Sequence, residues 1–193
     1  MMKASHRTSW EGVAAIVGLL AAGCGGSDDD GESGRPPVQF PPLPSTCEVP
    51  EPPPPLGRSS VVGDGTAASC TEQALRSALA EGGDVTFDCG DGEVTIPIES
   101  EILVSADAII DGGGTVTLDG GGSTRILHTE ARVALTVRGL HFVRGRATAT
   151  EGSGASGGAI RSGWLASVDV FDCTFTDNHA ADEGIEGGGA IYQ

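Results

Sequence analysis

Two stretches of this sequence repeat one another and decide the fold. Residues 134–147 read ALTVRGLHFVRGRA and residues 167–180 read SVDVFDCTFTDNHA, an offset of 167 minus 134, or 33 residues. A second repeat, GGAI, occupies residues 157–160 and returns at residues 188–191, an offset of 31. Repeats of this length predict structural units that stack on one another. The matched apolar positions are Leu135 with Val168, Val137 with Val170, Leu140 with Cys173, Phe142 with Phe175, and Ala147 with Ala180.

Each repeat contains three short apolar segments, around residues 135–137, 140–142 and 159–160. Alternation of apolar and polar residues predicts strands, and earlier segments have the same rhythm. Turn-forming residues separate the segments at 111–114 and 119–122, and glycines before Ala159 and Ala190 suit sharp corners. Three strands per repeat predict one coil of a right-handed parallel β-helix, an all-β solenoid. The earlier apolar positions are Val85, Phe87, Val94, Ile96, Ile98, Ile102, Val104, Val116 and Leu118.

One helix is predicted, over residues 71–81. Thr71 is a suitable N-cap, Glu72 lies in the first turn, and the glycine pair at 82–83 ends the helix. The apolar residues form a single stripe, which must be buried. Because this helix precedes all the predicted strands, it is expected to cap the first coil of the solenoid.

The first 56 residues differ from the remainder. A basic start and an apolar run at residues 13–22 predict a lipoprotein signal peptide over residues 1–23, with lipidation at Cys24; an ordinary secretory leader is the alternative. Residues 24–56 are acidic and then proline-rich, which predicts a disordered linker. The β-helix domain is expected over residues 57–193. The protein is therefore predicted to be exported and lipid-anchored at the outer membrane or cell surface.

Five cysteines need an assignment. Export makes disulfides permissible, and Cys70 and Cys89 are the predicted pair because one precedes the helix and the other ends the next strand. Two separate buried thiols are the alternative. Cys173 replaces Leu140 in the repeat and is expected to point into the core. Cys47 has no evident partner, and no cysteine spacing is typical of a zinc site.

The charge balance limits the partners. The chain has 27 acidic and 11 basic residues, a net charge of −16. Such a surface repels phosphate backbones, so nucleic acid is not a predicted partner. No cofactor or metal site is predicted, although acidic turns leave Ca²⁺ as an alternative to simple solvation. The acids at turns or outward strand positions are Asp111, Asp119, Asp169, Asp172 and Asp177, and the candidate basic groups on an outer face of the sheet are Arg138 and Arg144.

No catalytic residue is predicted. The histidines are scattered, and no nucleophile, base and acid fall together. His141 alternates outward between Leu140 and Phe142. Trp164 has two interpretations, a stacking platform for a sugar or a cover for the core. The histidines are His6, His128, His141 and His179.

The residues also resemble known families. The segment CTEQAL at 70–75, with VTFDC at 85–89, resembles the N-terminal module of bacterial surface proteins with a CSLREA-like motif. The GGAI segments and CTFTDN at 173–178 resemble polymorphic outer-membrane-protein repeats. Both groups belong to the pectin-lyase-like superfamily. This resemblance implies a parallel β-helix and export, whereas the superfamily includes both enzymes and adhesins.

Two functions follow as hypotheses. The first is a cell-surface, lipid-anchored scaffold that is not catalytic and serves display, adhesion or glycan contact, with the membrane and a polysaccharide or surface glycan as partners. The alternative is a polysaccharide-degrading enzyme, a pectate-lyase-like lyase or a glycoside hydrolase, with its active site on later coils. Because no polar cap follows the last strand, the solenoid is expected to be truncated at its C-terminal end.

Overall fold

Strands dominate the computed structural model, which describes residues 50–148, 156–181 and 188–193, all within one unit, Glu48–Gln193. A single α-helix lies among these residues, together with a short 3₁₀ turn at Ala67–Ser69. The elements are β1 (Ser59–Gly63), α1 (Glu72–Glu81), β2 (Gly83–Asp88), β3 (Val94–Pro97), β4 (Ile102–Val104), β5 (Ala108–Asp119), β6 (Leu127–Thr129), β7 (Ala134–Val143), β8 (Ile160–Arg161), β9 (Ser167–Phe171), β10 (Thr174–Thr176) and β11 (Ile191–Tyr192).

The strands form two parallel sheets. The larger has seven strands in the order β1-β2-β5-β7-β10, with β3 also paired to β5 and β9 to β7. The smaller has four strands in the order β11-β8-β6-β4. Parallel pairing requires a long connection between partner strands. Here the connections between strands of the larger sheet contain the strands of the smaller sheet, so the chain passes from one sheet to the other repeatedly. The prediction of a strand-dominated, parallel architecture is confirmed.

The sequence repeat sets the strand register. Leu135 pairs with Val168 and Val137 with Val170, as the offset of 33 predicts. Phe142 pairs with Phe175, and their rings stack with centroids 4.9 Å apart. The GGAI repeat is paired too, because the Ala159 N–H donates to the Ala190 carbonyl at 2.9 Å. The predicted alignment of the two repeats is therefore confirmed.

Helix α1 begins and ends where the sequence predicts. The Thr71 hydroxyl accepts a hydrogen bond from the Ala74 N–H at 3.2 Å, which satisfies one free donor of the first turn. Gly82 ends the helix with a φ of +66°. Leu75, Ala78 and Leu79 form the buried stripe and join the core between the sheets.

One prediction about the helix is wrong. Strand β1 precedes α1 and pairs in parallel with β2, Ser60 opposite Val85. The helix therefore does not precede all the strands. Only Val62 of β1 is fully buried, whereas Val61 is 60% exposed, so the segment lacks the alternating apolar pattern that identifies a strand in sequence.

A second difference concerns strand length. β5 and β7 are continuous over 12 and 10 residues, where the sequence predicts two short strands each. In β7 only Gly139, with a φ of +57°, interrupts the extended conformation, and β7 stays paired with β5 on both sides of it. One repeat later Asp172 adopts a φ of +49°, and there β9 and β10 are separate strands. The left-handed residue is thus accommodated within β7 but separates β9 from β10 at the equivalent place in the next repeat.

One continuous apolar core joins the helix and both sheets. Inward side chains from successive strands stack in rows, such as Val85, Ile110 and Val137 in the larger sheet. The row of the smaller sheet is Ile102, Leu127 and Ile160, all fully buried. Cys173 packs against this core as predicted, and burial raises the pKa of its thiol.

The predicted disulfide is confirmed. Cys70 and Cys89 are bonded with their Cα atoms 5.7 Å apart, and both are buried. The bond ties the residue before the capped helix to the residue after β2. It closes a loop of 19 residues, which restricts the unfolded chain.

Removing this bond is expected to destabilise the fold. The double variant C70S/C89S should lose about 3 kcal/mol of unfolding free energy, because the loop of 19 residues regains its entropy in the unfolded state. Urea unfolding of both proteins measures the difference. Reductant should weaken the native chain and leave the double variant unchanged. A loss below about 1 kcal/mol would show that the bond does not constrain the unfolded chain.

Candidate functional site

The predicted acidic groups on β5 are each paired with an arginine. Asp111 Oδ2 lies 2.8 Å from Arg138 Nη2, and Asp119 Oδ1 accepts from Arg144 Nε at 3.0 Å. The hydrogen bond from Arg144 lowers the pKa of Asp119, against the opposing effect of desolvation. Asp111 and Asp119 also accept main-chain N–H bonds two residues ahead, which fixes the turns. These carboxylates are engaged in structure.

The other predicted acids lie on β9 or in left-handed turns, and Asp177 is near enough to the Asp119–Arg144 pair to act on the Arg144 charge. Asp169 lies on β9, and Asp172 and Asp177 adopt left-handed conformations with φ of +49° and +53°. Among the described residues no three histidine, cysteine or acidic side chains are close enough to hold a metal ion. The five acids therefore do not form a metal site in this part of the chain.

The histidines also lie apart. His141 points outward, as predicted; its Nδ1 lies 2.6 Å from the Thr174 hydroxyl and its Nε2 lies 3.1 Å from the Gly114 carbonyl. The main chain of His179 pairs with that of Arg146 in an isolated parallel β-bridge, and His6 lies outside the described residues. Among the described residues, neither the His141 nor the His179 side chain forms a hydrogen bond with an acidic side chain.

A buried ion-pair network joins three residues that no sequence pattern had linked. Arg125, only 3% exposed, pairs with Glu101, and His128 Nδ1 lies 3.1 Å from the other oxygen of that carboxylate. Burial opposes ionisation of Glu101, but the His128 hydrogen bond and the Arg125 charge outweigh it, so the pKa of this carboxyl lies below its ordinary value. Arg125 also donates to the Gly157 and Ser156 carbonyls at 2.9 and 3.0 Å.

This network binds main-chain carbonyls. Arg125 is the last residue before the apolar pair that leads into β6, and its side chain reaches 31 and 32 positions ahead to the segment before β8. In the sequence, the only sign of this network is that the charged residue Arg125 lies next to an apolar run. The Arg125 network fixes the entry of the chain into the smaller sheet.

One surface cavity, the aromatic cleft, is lined by two aromatic side chains, Trp164 and Tyr192. It is a cavity of about 350 Å³ at the corner between β8 and β9. Trp164 is 71% exposed there, so the stacking-platform interpretation is favoured over a core cover. The side chains that define the cleft are Arg161, Trp164, Leu165 and Tyr192.

Backbone geometry holds Trp164 outward. The turn is closed by a hydrogen bond from the Ala166 N–H to the Gly163 carbonyl at 3.1 Å. A Cβ at residue 163 would lie only 2.5 Å from the Thr129 carbonyl, so this position requires glycine. Leu165 has a φ of +57°, and Arg132, 33 positions earlier, has +66°. The corner thus repeats, and each left-handed residue costs about 1 kcal/mol.

Two arginines lie over the aromatic rings of the cleft. The Arg161 guanidinium is 5.9 Å from the centre of the Tyr192 ring, and the Arg132 guanidinium is 5.6 Å from that of Trp164. Cation–π contacts of this kind contribute about 0.5–1 kcal/mol at exposed positions. The main-chain N–H of Arg132 also donates to the Trp164 carbonyl at 3.0 Å. The cleft therefore combines flat apolar rings with positive charge.

Comparison with known proteins adds no assignment. No family model, no curated protein and no solved structure matches this chain. Within residues 50–148, 156–181 and 188–193, no helix has the length and apolar character needed to cross a membrane. The predicted signal peptide, Cys24, Cys47 and linker residues 24–49 lie outside the described residues. The family resemblance, the anchor and the localisation stay predictions.

Proposed function

We propose that this chain is a cell-surface, lipid-anchored β-helix protein that presents a glycan-contact surface and does not catalyse a reaction. The observation that carries the proposal is Trp164, a large indole ring 71% exposed at the rim of the aromatic cleft. Trp164 and its neighbour Leu165, which is 64% exposed, form an apolar patch beside Tyr192, and an exposed apolar patch is typical of a binding surface. Flat rings of this kind stack on the apolar face of a sugar.

The architecture proposed for this surface is a right-handed parallel β-helix. Parallel pairing throughout both sheets, at spacings of 25 residues from Gly83 to Ala108 and 33 from Ala134 to Ser167, supports one coil stacked on the next. The shared core and the rows of inward side chains support it too. A stack of this type is rigid along its length, which suits a protein that displays a surface.

Export and anchoring are proposed from two features. The Cys70–Cys89 disulfide supports folding in an oxidising compartment, because such bonds are rare in proteins of the reducing cytosol. The leader pattern over residues 1–23 and the small residues before Cys24 support lipidation at that cysteine. Mass spectrometry of the membrane fraction, with and without C24S, tests the anchor; an unmodified Cys24 would contradict it.

A glycan array probed with the full chain tests the function. We expect retention of a subset of glycans, and W164A should weaken binding about tenfold, equivalent to about 1.4 kcal/mol. W164F should retain most of the affinity because it keeps a flat ring. L103A is the matched control: Leu103, on β4 of the smaller sheet, is an apolar residue 48% exposed and lies outside the cleft.

Two outcomes would contradict the proposal. Binding to no glycan on the array would contradict the glycan-contact function. Binding by W164A as tight as that of the native chain would show that the aromatic cleft is not the contact surface. Polysaccharide cleavage is the alternative function, and it has its own readout. A Ca²⁺-dependent rise in ultraviolet absorbance with polygalacturonate would replace the scaffold proposal with a lyase.

A further inference from the structure

The residues just before β1 are tied to the outer face of the larger sheet. Gly57 has a φ of +80°, a left-handed conformation that turns the chain before it enters β1. Asp84 of β2 holds the chain on both sides of this glycine. Its N–H donates to the Arg58 carbonyl at 2.6 Å, and its Oδ1 accepts from the Leu56 N–H at 3.1 Å. Because the next residue, Val85, points into the core, the Asp84 side chain lies on the outer face, and Leu56 lies there with it.

Two prolines upstream of Leu56 lie against three neighbouring strands. Pro53 and Pro55 line a cavity of about 200 Å³ together with side chains of the larger sheet. Thr86 of β2, Ile109 of β5 and Arg138 of β7 form the opposite wall. The segment before β1 therefore crosses the strands of the larger sheet and does not extend away from its edge.

Ile109 is covered from outside the core. It is only 7% exposed, although it does not belong to the apolar core cluster. Its neighbour Ile110 points inward and is fully buried, so Ile109 points outward, opposite Asp84 on the adjacent strand. An apolar side chain on the outer face of a sheet stays in water unless another segment covers it. Pro53 and Pro55 share its cavity and supply that cover.

We propose that residues 50–56 are a strap docked across the outer face of the larger sheet, which shields Ile109 and makes the predicted linker leave the domain from that face. These residues belong to the same compact unit as the sheets. A segment without secondary structure stays loose unless contacts tie it down, and a proline run loses little conformational freedom when it docks. The Asp84 carboxylate and the apolar contact with Ile109 are the two ties. This inference does not depend on glycan contact, because it concerns how the domain is mounted.

Solvent exchange of the Leu56 amide proton, measured by NMR on the full chain, tests the strap. In the native chain this proton should exchange about tenfold more slowly than in a free peptide of residues 48–60, because it is bonded to a carboxylate. D84A should remove this protection. D169A is the matched control, since Asp169 lies in the same outward row, two strands beyond Ile109. Exchange of the native Leu56 proton at the peptide rate would overturn the proposal without the need for any variant.

A second measurement follows the methyl groups of Ile109 with a soluble paramagnetic agent. In P53S/P55S these methyl groups should become as accessible as those of Leu103, which is 48% exposed. P52S/P54S changes two exposed prolines of the same run and should leave Ile109 as shielded as in the native chain. Equal shielding of Ile109 in P53S/P55S and the native chain would overturn the role of the prolines as its cover. Circular dichroism verifies that both variants keep the fold.

Discussion

F142A is expected to lower the free energy of unfolding by about 4 kcal/mol. Phe142 is fully buried in β7, paired with Leu118 on one side and Phe175 on the other. Its ring stacks on that of Phe175 with an angle of 4° between the planes. Removing it leaves a cavity bounded by neighbouring strands, which parallel hydrogen bonding prevents from closing.

Urea unfolding followed by circular dichroism measures this loss. F175A should lower the free energy of unfolding by less than F142A does, because the Phe175 side chain is only partly buried. V61A is the surface control, expected within about 0.5 kcal/mol of the native chain, since Val61 is 60% exposed. A loss below about 1 kcal/mol in F142A would contradict the stacked core, because no well-packed phenylalanine is that easily removed.

E101Q is expected to lower the free energy of unfolding by about 3 kcal/mol. The side chain of Arg125 is only 2% exposed, and without the Glu101 carboxylate its charge stays in a poorly solvated place. Replacing both charges with apolar residues, as in E101L/R125M, should recover most of the loss and end within about 1 kcal/mol of the native chain. The measurement is again unfolding free energy, arranged as a double-mutant cycle.

The pH dependence gives the same prediction an internal check. Because the folded pKa of Glu101 is lowered, its stabilising contribution is complete above the unfolded value of about 4.3 and disappears as the pH falls through the folded value. The gap between the native chain and E101Q should therefore narrow in acid. D111N is the control, since the Asp111–Arg138 pair is partly exposed and contributes at most about 1 kcal/mol. Equal losses in E101Q and D111N would contradict the importance of burial.

Sequence repetition predicted the later strands and missed the first one. The 33-residue match placed Leu135 against Val168 because the apolar positions recur in identical order. Between Val85 and Ile110 the pairing offset is 25, and there the side chains around the paired positions share no motif. β1 offered only Val61 and Val62 between serines and glycines, so hydrogen bonding to β2, not an apolar pattern, makes it a strand.

The candidate site was only half visible in sequence. Trp164 stood out as an isolated indole, but its exposure depends on the turn that Gly163 and Leu165 create. That Arg161 has no carboxylate partner is a property of three-dimensional neighbours, which a chain rich in acids conceals. The Arg125 network was missed for the same reason, because its partners lie 24 and 31 positions away.

The uneven distance between paired strands has a consequence for how such a protein can change. Val94 pairs with a residue 22 positions later, and Ala134 with one 33 positions later, while the rows of inward side chains remain aligned. Residues inserted in a turn between strands therefore extend outward and leave the core unchanged. Gly122, in the turn after β5, has open space around it. A foreign peptide grafted there would extend from the surface, so the scaffold is suited to carrying new recognition loops without redesign of its interior.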